Sequence, residues 1–74
     1  MKKIALIGLG NLGKHYMSGL SKIKFKKELF FIDTSTKNLN SAKKIWLDIC
    51  NKNFFLYHFG KKLNISPKNL DLVI

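Results

Sequence analysis

The chain has 74 residues, of which 46% are hydrophobic and 24% are charged, values that are ordinary for a small soluble globular domain. No run approaches the roughly 20 apolar residues of a membrane-spanning helix, and the apolar run at residues 4–7 is too short for a secretory signal peptide. The single cysteine, Cys50, excludes an internal disulfide. We therefore expect a cytoplasmic protein with no membrane partner.

The formal net charge of +10 arises from fourteen lysines against four acidic residues, and the chain contains no arginine. Lysine, asparagine, isoleucine and phenylalanine all have AT-rich codons, so a biased genome explains the excess without a functional cause. The lysines are also scattered, and base recognition favours the planar guanidinium of arginine. A basic nucleic-acid-binding domain is therefore kept only as an alternative, while the positive charge would help to attract an anionic ligand.

A strand and a helix are predicted at the start of the chain. Residues 3–7 form a short apolar run bounded by a glycine, which is typical of a strand buried on both faces of a parallel sheet. From Asn11 the apolar period changes to three and four residues, which predicts a helix that ends near residues 21–24. The expected apolar stripe of this helix comprises Leu12, Tyr16, Leu20 and Ile23, with Met17 beside it.

A second strand and helix follow. The polar residues 26–28 are expected to connect to a strand over residues 29–32, which ends in Asp33. The hydroxyl side chains of residues 34–36 can cap a helix, which then runs to about Asn51. The expected apolar stripe of this helix comprises Leu39, Ala42, Trp46 and Ile49, flanked by Ile45 and Cys50. Both Trp46 and Cys50 are interpreted as core residues.

The last third of the chain predicts two more strands. The aromatic residues 54–59 favour a third strand, residues 60–62 a turn, residues 63–69 a loop or one short helical turn, and residues 70–74 a fourth strand. Strands that alternate with helices form a parallel sheet with right-handed crossovers. The predicted fold is therefore α/β, a partial Rossmann-type three-layer unit in the order β-α-β-α-β-β, truncated after its fourth strand. An open edge at that strand could pair with another chain, so a homo-oligomer is left open.

Three glycines, Gly8, Gly10 and Gly13, follow the first strand with GxGxxG spacing. The first permits a tight turn, the second lets a pyrophosphate approach the backbone, and the third allows the helix to pack closely on the strand. The amides at the start of the helix, including those of Asn11 and Leu12, then point at phosphates, whose charge the helix dipole favours. Because a strand precedes the glycines and a helix follows them, the pattern predicts a dinucleotide-binding loop.

Asp33 lies twenty positions after Gly13, at the end of the second predicted strand. A carboxylate there is expected to accept hydrogen bonds from both hydroxyls of the adenosine ribose. It would also repel the 2′-phosphate of NADP, so NAD is the expected cofactor and NADP the alternative. Lys37 could offset this repulsion by binding the phosphate, although a solvated helix lysine is the plainer interpretation.

The remaining polar residues are not expected to form a functional site. His15 and Lys14 adjoin the glycines and are read as helix-surface residues, with contact to the cofactor as the alternative. His58 is interpreted as a strand-end histidine with no ligand role. No His, Cys and Asp residues have metal-ligand spacing, and no nucleophile–base pair or pair of carboxylates is evident. We therefore expect neither a metal nor a catalytic residue in this chain.

The stretches KKIALIGLGNLGKHYMSGL, FFID, SAKK and NLDLVI resemble the glucose-fructose oxidoreductase and inositol dehydrogenase (Gfo/Idh/MocA) family. The resemblance covers nearly the whole chain and corresponds to the first part of that family's N-terminal nucleotide-binding domain. One departure is Tyr16, where members often have a histidine, whereas His15 lies one residue earlier here. GLGNLG is also similar to the openings of hydroxyisobutyrate-type, prephenate-type and pyrroline-carboxylate-type reductases.

This resemblance implies that residues 1–74 are the N-terminal part of an NAD(P)-binding domain of an oxidoreductase. In such proteins a second α/β domain binds the small-molecule substrate and supplies a catalytic lysine and histidine, and hydride passes to or from a carbonyl or alcohol. The chain would then lack the catalytic residues and be inactive alone. A nucleotide-binding regulatory module that senses NAD without catalysis is the alternative from a different class.

Overall fold

The computed structural model describes residues 2–23, 26–49, 55–63 and 66–74. Over these ranges the elements in chain order are β1 (Lys2–Ile7), α1 (Asn11–Ser21), β2 (Lys27–Ile32), α2 (Thr36–Ile49), β3 (Phe55–Gly60), a 3₁₀ turn (Pro67–Asn69) and β4 (Leu72–Val73). The predicted core position of Cys50, the predicted start of the third strand at Phe54 and the predicted helix ends at Lys24 and Asn51 lie outside the described residues.

Within the described residues, four strands form one parallel sheet in the order β3-β2-β1-β4. The register aligns Ile7, Ile32 and Gly60, so β1, β2 and β3 end level with one another. Gly60, predicted as a turn, is the last residue of β3, because its carbonyl still accepts the N–H of Asp33 at 3.1 Å. The predicted α/β class is confirmed, and the point where the strand order reverses lies between β1 and β4.

One hydrophobic core joins both helices to the sheet. Its buried members are Ile4, Leu6, Leu9, Met17, Leu20, Leu29, Phe31, Leu39, Ala42 and Trp46. Trp46 is fully buried and meets the ring of Phe31 edge-on, with 4.8 Å between the ring centroids, so its predicted core role is confirmed. Burying one such large apolar side chain contributes about 1.5–3 kcal/mol. In the described part of the chain, neither helix has the length and apolar character needed to span a bilayer.

The face that α1 turns to the core matches the predicted stripe only in part, since Leu20 is buried as predicted but other members of the stripe are exposed. Gly13 and Met17 are buried, whereas Leu12 is 69% exposed and Tyr16 is 45% exposed. The cause is a close backbone contact at Gly13, where an added Cβ would overlap the carbonyl oxygen of Gly8. This contact places the Gly13 side of the helix against the sheet and leaves Leu12 and Tyr16 at the surface.

The second strand begins earlier than the sequence predicts, because β2 includes Lys27 and Glu28 rather than a polar connection. Lys27 is fully buried, and its Nζ donates a hydrogen bond of 2.7 Å to the carbonyl oxygen of Ile23, just beyond the end of α1. The apolar stem of the lysine lies in the core while its amine meets a carbonyl at a helix end, where acceptors lack intrahelical partners. Lys27, predicted to lie in a polar connection, is therefore part of the interior.

Burial lowers the pKa of Lys27 from its ordinary value of 10.5. Between the lowered pKa and 10.5, the unfolded chain binds more protons than the folded chain, so this lysine makes the free energy of unfolding rise with pH in that window. We expect Lys27→Met to lack this rise when urea unfolding is followed from neutral pH upward. Lys26→Met, at an exposed neighbouring position, should keep the pH dependence of the wild type. An unchanged pH dependence in Lys27→Met would contradict the assignment.

Candidate functional site

The loop between β1 and α1 begins with a conformation that favours glycine. Gly8 has a φ of +95°, in the left-handed region where any residue with a side chain is strained. Its N–H donates to the carbonyl oxygen of Ile32 at 2.8 Å, so β2 still holds the chain where the turn starts. Leu9 is fully buried and anchors the turn in the core. The first glycine therefore allows the tight turn that the sequence predicts.

The third glycine is required by packing. A Cβ on Gly13 would overlap the carbonyl oxygen of Gly8 and lie 3.0 Å from the carbonyl carbon of that residue. Because both contacts are to backbone atoms, a larger residue could be accommodated only by moving α1 away from β1. Close packing of the helix on the strand, as predicted from the spacing, thus depends on Gly13.

The second glycine has neither constraint. Gly10 adopts φ −71° and ψ −160°, an extended conformation that is open to any residue. A Cβ built on Gly10 would have no neighbouring atom within 4 Å. Backbone strain and internal packing therefore do not explain a glycine at this position. The space that the missing side chain leaves is part of a cleft.

This cleft has a volume of about 520 Å³ and lies at the carboxyl ends of β1 and β4. Its size falls within the range of about 300 to 1,000 Å³ that is typical of small-molecule sites. Its walls are formed by the glycine loop (residues 8–13), of which every residue except Leu9 lines the cleft, and by Leu6, Ile7, Tyr16 and Ile74. Open α/β sheets bind ligands in such crevices, where the strand order reverses.

The two helices differ at their N-terminal ends. Ser35 Oγ accepts the N–H of Asn38 at 3.2 Å, which caps α2 with one of the hydroxyls predicted for that role. No side chain of the described residues caps α1, which begins directly after Gly10. The first N–H groups of a helix lack intrahelical acceptors. In α1 these groups belong to residues 11–13, which line the cleft, so a ligand with acceptor oxygens would complement this end.

Asp33 follows β2 directly and is half-buried, and three hydrogen bonds hold its carboxylate. Oδ1 accepts the N–H of Ser35 at 2.8 Å. Oδ2 accepts the N–H of Leu9 at 2.7 Å and the side-chain Nδ2 of Asn38 at 3.0 Å. The backbone N–H groups of Ser35 and Leu9, and then the Asn38 amide, hold the pKa of Asp33 below its ordinary value. The structure thus brings a charged carboxylate against the glycine loop.

The sequence does not predict the hydrogen-bond partners of Asp33. Ser35 carries a usable signal, because an aspartate side chain often accepts the amide two residues further on. Leu9 and Asn38 carry none, since their contacts with Asp33 depend on how the glycine loop and α2 come together in the folded chain. The site therefore includes one loop amide and one helix side chain that spacing alone does not indicate.

The other residues that the sequence offers as possible ligand contacts lie away from this arrangement or on the surface. His15 is exposed on α1, and Lys37 is exposed in the first turn of α2. His58 lies inside β3, where its Nε2 is 2.7 Å from Oε2 of Glu28 and its ring stacks on Phe30 with centroids 4.9 Å apart. Across the described ranges, no group of three or more His, Cys, Asp or Glu residues could hold a metal ion.

The fold and the site together define a class of structure, a parallel α/β unit with a glycine-lined cleft at its topological switch point. No protein-family model, no curated protein and no solved structure matches this chain.

Proposed function

We propose that this chain binds NAD(H) in the cleft, with the pyrophosphate over the glycine loop. The observation that carries the proposal is Gly10, whose missing side chain serves neither the backbone nor the core but keeps open the space beside the uncapped end of α1. Phosphate oxygens accept hydrogen bonds from such amides, and the helix dipole favours their negative charge. Residues 11–13 supply these amides, and Gly8 and Gly13 set the loop that presents them.

Asp33 supports the adenosine end of the proposal. Its carboxylate accepts the N–H of Leu9, the residue between the first two glycines, at 2.7 Å. A dinucleotide whose pyrophosphate lies on the loop would therefore bring its adenosine ribose toward this side chain. Asp33 is ionised at neutral pH, as an ordinary aspartate is, and its three hydrogen bonds favour the charged form further, so the carboxylate would accept a ribose hydroxyl and repel the additional phosphate of NADP. NAD is thus the proposed cofactor, with NADP less favoured.

We further propose that the chain is the nucleotide-binding part of an oxidoreductase that passes hydride to or from a carbonyl or alcohol. The strand order β3-β2-β1-β4 and the position of the cleft agree with the first half of a dinucleotide-binding domain. The resemblance to the Gfo/Idh/MocA family supports the choice of chemistry. The proposal assigns cofactor binding to this chain and leaves the catalytic residues to another part of such an enzyme.

Titration of the protein with NADH, ADP and adenosine by isothermal calorimetry tests this proposal. We expect saturable binding of NADH and of ADP, which both carry a pyrophosphate, and much weaker binding of adenosine, which has no phosphate to meet the α1 amides. Absence of NADH binding, or adenosine affinity equal to that of ADP, would overturn it. A nucleic-acid binder would instead bind duplex DNA, with an affinity that falls steeply as salt is raised.

A further inference from the structure

The carboxylate of Asp33 has little capacity left for a ligand. A carboxylate offers about four lone-pair sites, two on each oxygen. On Oδ2, the Leu9 N–H at 2.7 Å and the Asn38 Nδ2 at 3.0 Å fill both sites. On Oδ1, the Ser35 N–H at 2.8 Å fills one. A single site on Oδ1 therefore remains for a donor from a bound molecule.

Of the three residues that donate hydrogen bonds to Asp33, Asn38 is the one that donates through its side chain. Leu9 and Ser35 donate through backbone N–H groups, which most residues at those positions would also supply. Asn38 donates through its amide side chain, and its own backbone N–H is held by Ser35 Oγ at 3.2 Å in the first turn of α2. The helix thus directs the Asn38 amide at Oδ2 of Asp33. Without that amide, a second acceptor site on the carboxylate would open.

We infer that Asn38 restricts Asp33 to one hydroxyl of the adenosine ribose, accepted by Oδ1, an inference that rests on the proposed function. Asn38 is then a specificity-determining residue of the cofactor site, although it does not contact the cofactor itself. The two adjacent hydroxyls of a ribose are two donors, and only one finds a site on Asp33. On this inference the two ribose hydroxyls contribute unequally to binding, whereas the sequence predicts that the carboxylate accepts both.

Binding of ADP, 2′-deoxy-ADP and 3′-deoxy-ADP to the wild-type protein, measured by calorimetry, tests the inference. ADP carries the ribose and the pyrophosphate together. One deoxy analogue should bind about tenfold or more weakly than ADP, because it loses a hydrogen bond to a charged group, and the other should bind within about twofold. Equal losses for the two analogues would overturn the inference and leave the proposed function standing. Failure of ADP itself to bind would contradict the proposed function.

The variant Asn38→Ala tests the role of the side chain. In this variant the second acceptor site on Oδ2 of Asp33 becomes available, so the difference in affinity between the two deoxy analogues is expected to shrink to about twofold. Asn40→Ala, at an exposed position of the same helix, should keep the wild-type difference. A purely structural role for Asn38 would weaken all three nucleotides equally and leave the difference unchanged, which would reject the assignment. If Asn38→Ala fails to fold by circular dichroism, the wild-type comparison still decides whether Asp33 accepts one ribose hydroxyl or both.

Discussion

Replacing Gly10 by valine is expected to abolish NADH binding while the fold is retained. The backbone at Gly10 is extended, with φ −71° and ψ −160°, which valine adopts readily, and a Cβ there meets no atom within 4 Å. The new methyl groups would occupy the space over the first turn of α1, where the pyrophosphate is proposed to lie. We expect the affinity for NADH to fall at least about 100-fold, or about 2.8 kcal/mol, in a calorimetric titration.

The control for this variant is Gly19→Val. Gly19 lies on α1 at an exposed position, and a Cβ there also meets no atom within 4 Å, but the residue does not line the cleft. The two variants therefore make the same chemical change, one inside the proposed site and one outside it. NADH affinity in Gly19→Val should match the wild type, and thermal unfolding should show both variants folded. NADH binding by Gly10→Val at wild-type strength would remove the pyrophosphate from the loop.

The features of the site that the sequence predicts correctly are those that depend on local geometry. The turn at Gly8 requires a positive φ, and the helix that follows begins at Asn11 as its change of period indicates. The position of Asp33 directly after β2 is predicted correctly, because the short apolar run of the strand and the polar residue that follows it are adjacent in the sequence. In each case the residues that determine the structure lie within a few positions of the feature itself.

The features that the sequence does not predict depend on contacts between distant segments. The contact of Gly13 with the carbonyl of Gly8 fixes which side of α1 faces the sheet, so Met17 is buried whereas Leu12 and Tyr16 are exposed. The sequence predicts a polar connection at Lys27. The residue is buried because the carbonyl oxygen of Ile23, just beyond the end of α1, accepts a hydrogen bond from its amine at 2.7 Å. The amide of Asn38 likewise reaches Asp33 only because α2 is docked beside the end of β2. Spacing within a segment carries no information on such contacts.

Replacing Asp33 by alanine is expected to weaken NADH binding about tenfold or more and to weaken NADPH binding less. NADH loses the hydrogen bond from a ribose hydroxyl, whereas NADPH, whose 2′-oxygen carries a phosphate, loses its repulsion from the carboxylate, which is charged at neutral pH. The same change releases the N–H groups of Leu9 and Ser35, which can disturb the loop for either cofactor. The ratio of the two dissociation constants is therefore the informative quantity.

The matched control for this ratio is Asp48→Ala. Asp48 is exposed on α2, so its removal changes the net charge of the protein by the same amount without touching the cleft or the glycine loop. A general increase in attraction for the more highly charged NADPH would appear in both variants, whereas a contact with the ribose would shift the ratio only in Asp33→Ala. Equal losses of NADH and NADPH affinity in Asp33→Ala would place the ribose away from Asp33. A pyrophosphate site on the loop, tested separately through Gly10, would survive that result.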